Sequence, residues 1–134
     1  MKVQEILTEG LQYNKATRII DKFIEFAASE LQLDELPDID LQDGNEVSVK
    51  HKSFGGYGNK HITVTLSNRH VNDVCRTIAH EMVHFKQDLN HELDGDNPGE
   101  TGSPQENEAN ALAAVIMRKW GQKHPNLFAA PAIE

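Results

Sequence analysis

Two histidines four residues apart with a glutamate beside the first, His80-Glu81-Met82-Val83-His84, make the pattern H-E-x-x-H. On an α-helix, residues i and i+4 lie about 40° apart around the axis and one turn along it, so both imidazoles can address one ion. Glu81 sits on the neighbouring flank. From there its carboxylate reaches a water on the metal rather than the metal itself, which is the position a general base needs for metal-assisted hydrolysis. A chain of 134 residues with seven histidines and twelve glutamates shows this pattern by chance in about three shuffled versions out of a hundred, so the surroundings must decide. They are apolar: Ile78, Ala79, Met82, Val83 and Phe85 flank the three polar residues. Imidazoles and carboxylates buried in such a setting cost free energy unless paired or ligating, which argues against a solvated face that happens to carry two histidines.

A catalytic zinc site takes three protein ligands and keeps a fourth position open. Three residues compete for the third place. His91 follows His84 by seven residues, but the metzincin spacing needs a glycine at position 87 and a histidine at 90; this chain has Gln87 and Asn90. Glu106 and Glu108 lie 22 and 24 residues past His84, enough for a loop and an antiparallel helix. Glu106 has the better surroundings. In Glu106-Asn107-Glu108-Ala109-Asn110 a carboxylate and a carboxamide stand four apart on one helix face, with the small Ala109 allowing close approach of the metal helix. Asn110 can then accept the ring N–H of a ligating histidine and hold its tautomer. Glu108 is rotated about 200° from Glu106 and is expected to look away as an exposed surface acid.

The pairing of His80-Glu81-Met82-Val83-His84 with Glu106-Asn107-Glu108-Ala109-Asn110 resembles the gluzincin zinc peptidases, whose second motif reads E-x-x-A-D or E-x-x-A-N. It is most similar to the small members of that clan and to the ImmA/IrrE type of metallopeptidase, where an alanine-rich run like Ala111-Leu112-Ala113-Ala114 follows. The likeness covers roughly residues 78–114 and the preceding strand. It implies a zincin-like minimal core, Zn2+ held by His80, His84 and Glu106, Glu81 as general base, and Asn110 behind the ligands. It also implies a peptide or protein substrate that adds as an extended strand to His61–Leu66. Asn110 departs from the aspartate of many relatives and would raise imidazole basicity less. The chain is short for the second subdomain of larger gluzincins, so a protein partner is a candidate to complete the cleft.

The expected activity is therefore zinc-dependent endopeptidase hydrolysis. Two alternatives stand beside it: a non-catalytic or regulatory zinc protein of a larger assembly, and a zinc hydrolase of a non-peptide amide. His2Glu sites also accept cobalt, manganese or nickel. No residue is singled out to stabilise the oxyanion; Tyr57, His61, Arg69 and His124 are possible by type.

These residues need elements to hold them. Apolar residues recur every three or four positions from Thr17 to Leu33, which predicts an amphipathic helix that Pro37 prevents from continuing. Strand character follows at Ile39–Leu41, Glu46–His51 and His61–Leu66, with the glycine-rich Ser53–Asn59 read as a wide hairpin loop. A second helix is predicted over Val71–Leu89, capped by Ser67 or Asn68, and a third from Pro104 to about Gly121. The order reads as an α+β domain: an N-terminal helix, a small three-stranded sheet, then the metal-binding helix and a second ligand-bearing helix, with the helices on one face of the sheet. A single domain over 1–134 is expected, with flexible ends at about 1–14 and 122–134. Asp94–Gly99 superficially resembles a calcium loop but has Pro98 at the fifth position and Gln105 at the twelfth.

The formal net charge of −8 disfavours nucleic acid and anionic membrane as partners. One cysteine, Cys75, permits no internal disulfide, and neither a signal-like leader nor an apolar run of spanning length is present, so a cytoplasmic setting is expected.

Overall fold

The computed structural model describes residues 13–42, 55–93 and 102–133. In chain order these form α1 (Tyr13–Glu30), β1 (Asp38–Gln42), β2 (Gly55–Gly58), β3 (His61–Thr65), α2 (Val71–Leu89), α3 (Pro104–Lys123) and a 3-10 turn, Pro125–Ala129. The class is α+β, three helices with a small mixed sheet. No helix among the described residues is long and apolar enough to cross a membrane.

Helix α1 buries Ala16, Ile20, Phe23 and Ala27, spaced four, three and four residues apart on one stripe. It begins a turn earlier than the periodicity predicts and stops at Glu30, well before Pro37. The stop is a Schellman turn: Leu33 N–H donates to Ala28 O at 2.9 Å and Gln32 N–H to Ser29 O at 3.1 Å, with Gln32 at φ 56°. Of the expected N-terminal flexible segment, only residues 13 and 14 are described, and both are helical.

The sheet order is β1-β3-β2, parallel between β1 and β3 and antiparallel between β2 and β3. Ile62 and Val64 of β3 are fully buried. The predicted strand Glu46–His51 lies outside the described residues. The segment Gly55–Gly58, expected to be loop, is instead strand β2, paired Gly55 to Val64 through Gly58 to His61. Its glycines need no left-handed backbone; the positive φ angles fall on Asn59 (50°) and Lys60 (62°), a two-residue turn of the primed type that matches strand twist. Strand β3 is consequently flanked on both sides, so the extended substrate expected to pair with His61–Leu66 finds no free edge there.

Gly55 is required for a different reason. A Cβ at that position would stand 2.5 Å from Thr77 Cγ2 of α2 and 3.3 Å from Thr63 O. Thr77 cannot swing aside cheaply, because its Oγ1 accepts from Arg69 Nη2 at 2.6 Å and donates to Asp73 O at 3.1 Å. Gly55→Ala is expected to destabilise the protein by about 1–3 kcal/mol, with most of the loss recovered in Gly55→Ala/Thr77→Ser. Equal melting temperatures for wild type and Gly55→Ala would show that β2 does not approach α2 so closely.

Among the described elements α2 approaches β2 and β3 most closely, and α1 and α3 pack on α2 and on each other. One core unites them, with Phe23, Ile62, Val64, Ile78, Met82, Ile116 and Trp120 in a single cluster. The N-cap of α2 is His70, whose Nδ1 accepts from Asn72 N–H at 3.0 Å. Asn68, predicted as a possible cap, is instead in a left-handed turn (φ 62°) with its N–H donated to Ile133 O at 2.7 Å. The C-terminal segment is thus docked rather than free. Ile133 is 1 % exposed and its N–H donates to Arg69 O at 2.7 Å, so the tail ties into the approach to α2.

Candidate metal centre

Helix α2 presents His80 and His84 one turn apart, with ring centroids separated by 4.8 Å. Helix α3 is capped by Ser103, whose Oγ accepts from Glu106 N–H at 3.1 Å, and this cap sets Glu106 in the first turn, where a carboxylate also complements the helix dipole. Glu106 Oε2 lies 2.9 Å from His84 Nε2 and 3.1 Å from His80 Nε2. One ligand atom from each of the three residues falls within 4.8 Å of the others, and the group could hold a metal ion. Tetrahedral bonds of about 2.0–2.1 Å place ligand atoms roughly 3.4 Å apart, so a bound ion would need Glu106 slightly further from the two imidazoles and the imidazole nitrogens drawn closer together.

The surroundings support the two histidines differently. His80 carries a side-chain hydrogen bond with Asn110. Burial holds its pKa below the usual histidine value, and nearby His84 pushes the same way, while Glu106 and Asn110 partly oppose the shift. His84 Nδ1 is 2.8 Å from Gln87 Oε1. Gln87, 1 % exposed, bridges the helices through Nε2, which donates to Gln105 O at 3.0 Å and to Glu108 Oε1 at 2.9 Å. In the sequence Gln87 stands out only as a departure from the metzincin spacing; its place three residues after His84, on the same helix face, is the signal that it can reach that ring. Glu108 is exposed and turned from the three ligand atoms, yet it is engaged by Gln87.

Glu81 is 8 % exposed, with Oε1 at 3.8 Å from His80 Nε2. Burial pushes its pKa up to about 7; His84 lowers it and Glu106 adds to the rise. Raised above its unfolded value, this group lends stability that is fully present below about pH 4.5 and is lost as pH rises through about 7. In metal-free protein, Glu81→Gln, which stays neutral, is expected to gain on wild type by on the order of 1–3 kcal/mol between pH 5 and pH 8. Chemical denaturation at both pH values checks this, and a difference independent of pH would contradict it.

The other candidates are placed elsewhere. His91 is exposed and holds the left-handed position (φ 58°) of a Schellman turn ending α2, with Glu92 N–H donating to Gln87 O at 2.7 Å. Tyr57 Oη donates to Asp88 Oδ2 at 2.5 Å. Arg69 is buried against Thr65 O, Asp73 and Thr77. His124 ends α3 and packs its ring 4.1 Å from Trp120. These contacts give Tyr57, Arg69 and His124 structural tasks, and His61 is exposed at the start of β3. Asp94–Gly99 lies outside the described residues. An open groove of about 370 Å³, lined by Arg76, Thr77, His80, Asn110, Ala113 and Ala114, runs between α2 and α3 beside His80. No family model, curated protein or solved structure matches this chain.

Proposed function

We propose that the protein is a zinc-dependent metallopeptidase of the zincin type, with His80, His84 and Glu106 as ligands and Glu81 as general base. The observation that carries this reading is the convergence of three ligand-type atoms beside a buried glutamate whose pKa is raised toward neutrality. A zinc ion bound to this donor set supplies a Lewis acid that polarises a carbonyl and acidifies a water. Glu81 takes the proton from the attacking water as its oxygen adds to the carbonyl carbon, then delivers that proton to the amine nitrogen as the C–N bond breaks. Asn110 holds the His80 ring, and the groove beside it offers room for a substrate side chain. A non-catalytic zinc protein has no need of a buried carboxylate that costs desolvation, so retention of Glu81 favours catalysis.

The test is elemental analysis combined with cleavage of an unfolded protein substrate. The expected result is about one zinc per chain and hydrolysis that stops on chelation and returns on adding zinc. Stoichiometric zinc without cleavage across a broad peptide library would favour the regulatory alternative. Cleavage of amides other than peptides alone would favour the third reading.

A further inference from the structure

We infer that Glu108 is a positioning residue of the metal centre, acting on His84 through Gln87; the inference rests on the reading of His80, His84 and Glu106 as metal ligands. The buried Gln87 amide has only one self-consistent orientation. Its Nε2 meets two acceptors, Gln105 O at 3.0 Å and Glu108 Oε1 at 2.9 Å, which leaves Oε1 to face His84 Nδ1 at 2.8 Å. Exchanging the amide atoms would set oxygen against a carbonyl and a carboxylate at hydrogen-bond distance, two contacts between acceptors. Oε1 therefore accepts, and His84 Nδ1 must carry the hydrogen. In the neutral ring that tautomer leaves the Nε2 lone pair free, on the nitrogen that faces Glu106 and His80.

Glu108 contributes in two ways. Its carboxylate binds one Gln87 N–H, which polarises the amide and makes Oε1 a stronger acceptor for His84, without placing a further charge in the interior. It also closes a brace between helices: His84 and Gln87 belong to α2, Gln105 and Glu108 to α3, and Glu106 lies between the last two. The contacts that orient one ligand thereby set the helix register that delivers another. Partners behind a metal-binding histidine typically change affinity about 10- to 100-fold; Glu108 is one step further out and shares its task with Gln105 O.

The experiment is a zinc competition titration against a chromophoric chelator on the full chain, with thermal melts of the metal-free proteins alongside. Glu108→Ala is expected to weaken zinc binding roughly tenfold, whereas Glu108→Gln, whose side-chain oxygen still accepts from Gln87, stays within about twofold of wild type. In a Gln87→Met background, Glu108→Ala should cause no further loss, because the link is already cut. The inference is overturned if Glu108→Ala binds zinc as wild type does, which includes the case where only its melting temperature falls. It is also overturned if Glu108→Gln loses as much as Glu108→Ala, since charge alone would then explain the effect, or if the loss persists without Gln87. Because Glu108 is exposed, the alanine and glutamine variants decide the matter even if Gln87→Met does not fold. A wild type that takes up no zinc removes the metal-centre reading as well, whereas a zinc-binding wild type matched by Glu108→Ala removes this inference alone.

Discussion

Zinc affinity is expected to fall about 10²- to 10³-fold when Glu106 is replaced by alanine, the equal-share loss of one ligand from a four-ligand site worth about 10–16 kcal/mol. Glu106 Oε2 is the atom that both imidazoles face, at 2.9 and 3.1 Å, so its removal leaves two histidines on one helix and nothing from α3. The same change removes an acid from the first turn of α3, a loss of only about 0.3–1 kcal/mol to the helix. Ser103 remains as the N-cap and the α2–α3 core is untouched, so the variant should fold. Competition titration reads the affinity directly. His91→Ala provides the contrast, since His91 is exposed at the end of α2 and is expected to bind zinc within several-fold of wild type. A Glu106→Ala protein that retains wild-type affinity would exclude Glu106 as a ligand while leaving the two histidines as candidates.

Hydrolysis is expected to slow about 10²- to 10⁴-fold in Glu81→Gln with zinc content unchanged. The amide is close in size to the carboxylate and fits the same buried position, but it cannot accept the proton of the attacking water or return it to the leaving nitrogen. The loss should appear in kcat rather than KM, because the missing proton transfer belongs to the transition state. Comparison must be made with both proteins zinc-loaded, since the metal-free variant is expected to be the more stable of the two above pH 7 and could otherwise be recovered in greater yield. Equal kcat in the two loaded proteins would exclude Glu81 as the base. An equal loss of zinc in the variant would instead give Glu81 a part in holding the metal.

Helix α2 is the most legible part of the chain. Its observed span, Val71–Leu89, coincides with the span predicted from the apolar residues Val74, Ile78, Met82, Phe85 and Leu89. The start of α3 at Pro104 was equally readable, because proline at the first helical position announces a helix before any packing is known. Strand β2 was not readable. Three glycines in four residues carry no intrinsic strand preference, and Gly55–Gly58 is extended because β3 supplies its hydrogen bonds and Thr77 leaves no space for a side chain at Gly55. The end of α1 is not readable for a similar reason: Gln32 takes a left-handed conformation that glycine ordinarily occupies, and nothing in its chemistry announces it.

Helical geometry connects residue number to direction, so spacing alone put His80 and His84 on one face, assigned Glu81 to the adjacent flank, and turned Glu108 away from Glu106. These are relations within one rigid element, and they do not depend on what packs against it. Relations between elements do. The approach of Glu106 Oε2 to both imidazoles, the hydrogen bond of Asn110 with His80, and the path from His84 through Gln87 to Glu108 all depend on the register of α3 against α2. Burial belongs to the same class, since desolvation of Glu81 requires the assembled core to exclude water around it. Residue types and their period establish which groups an element can offer, but distances of 2.9–3.1 Å across two helices arise only when side-chain packing has chosen one interlocked arrangement of the two surfaces.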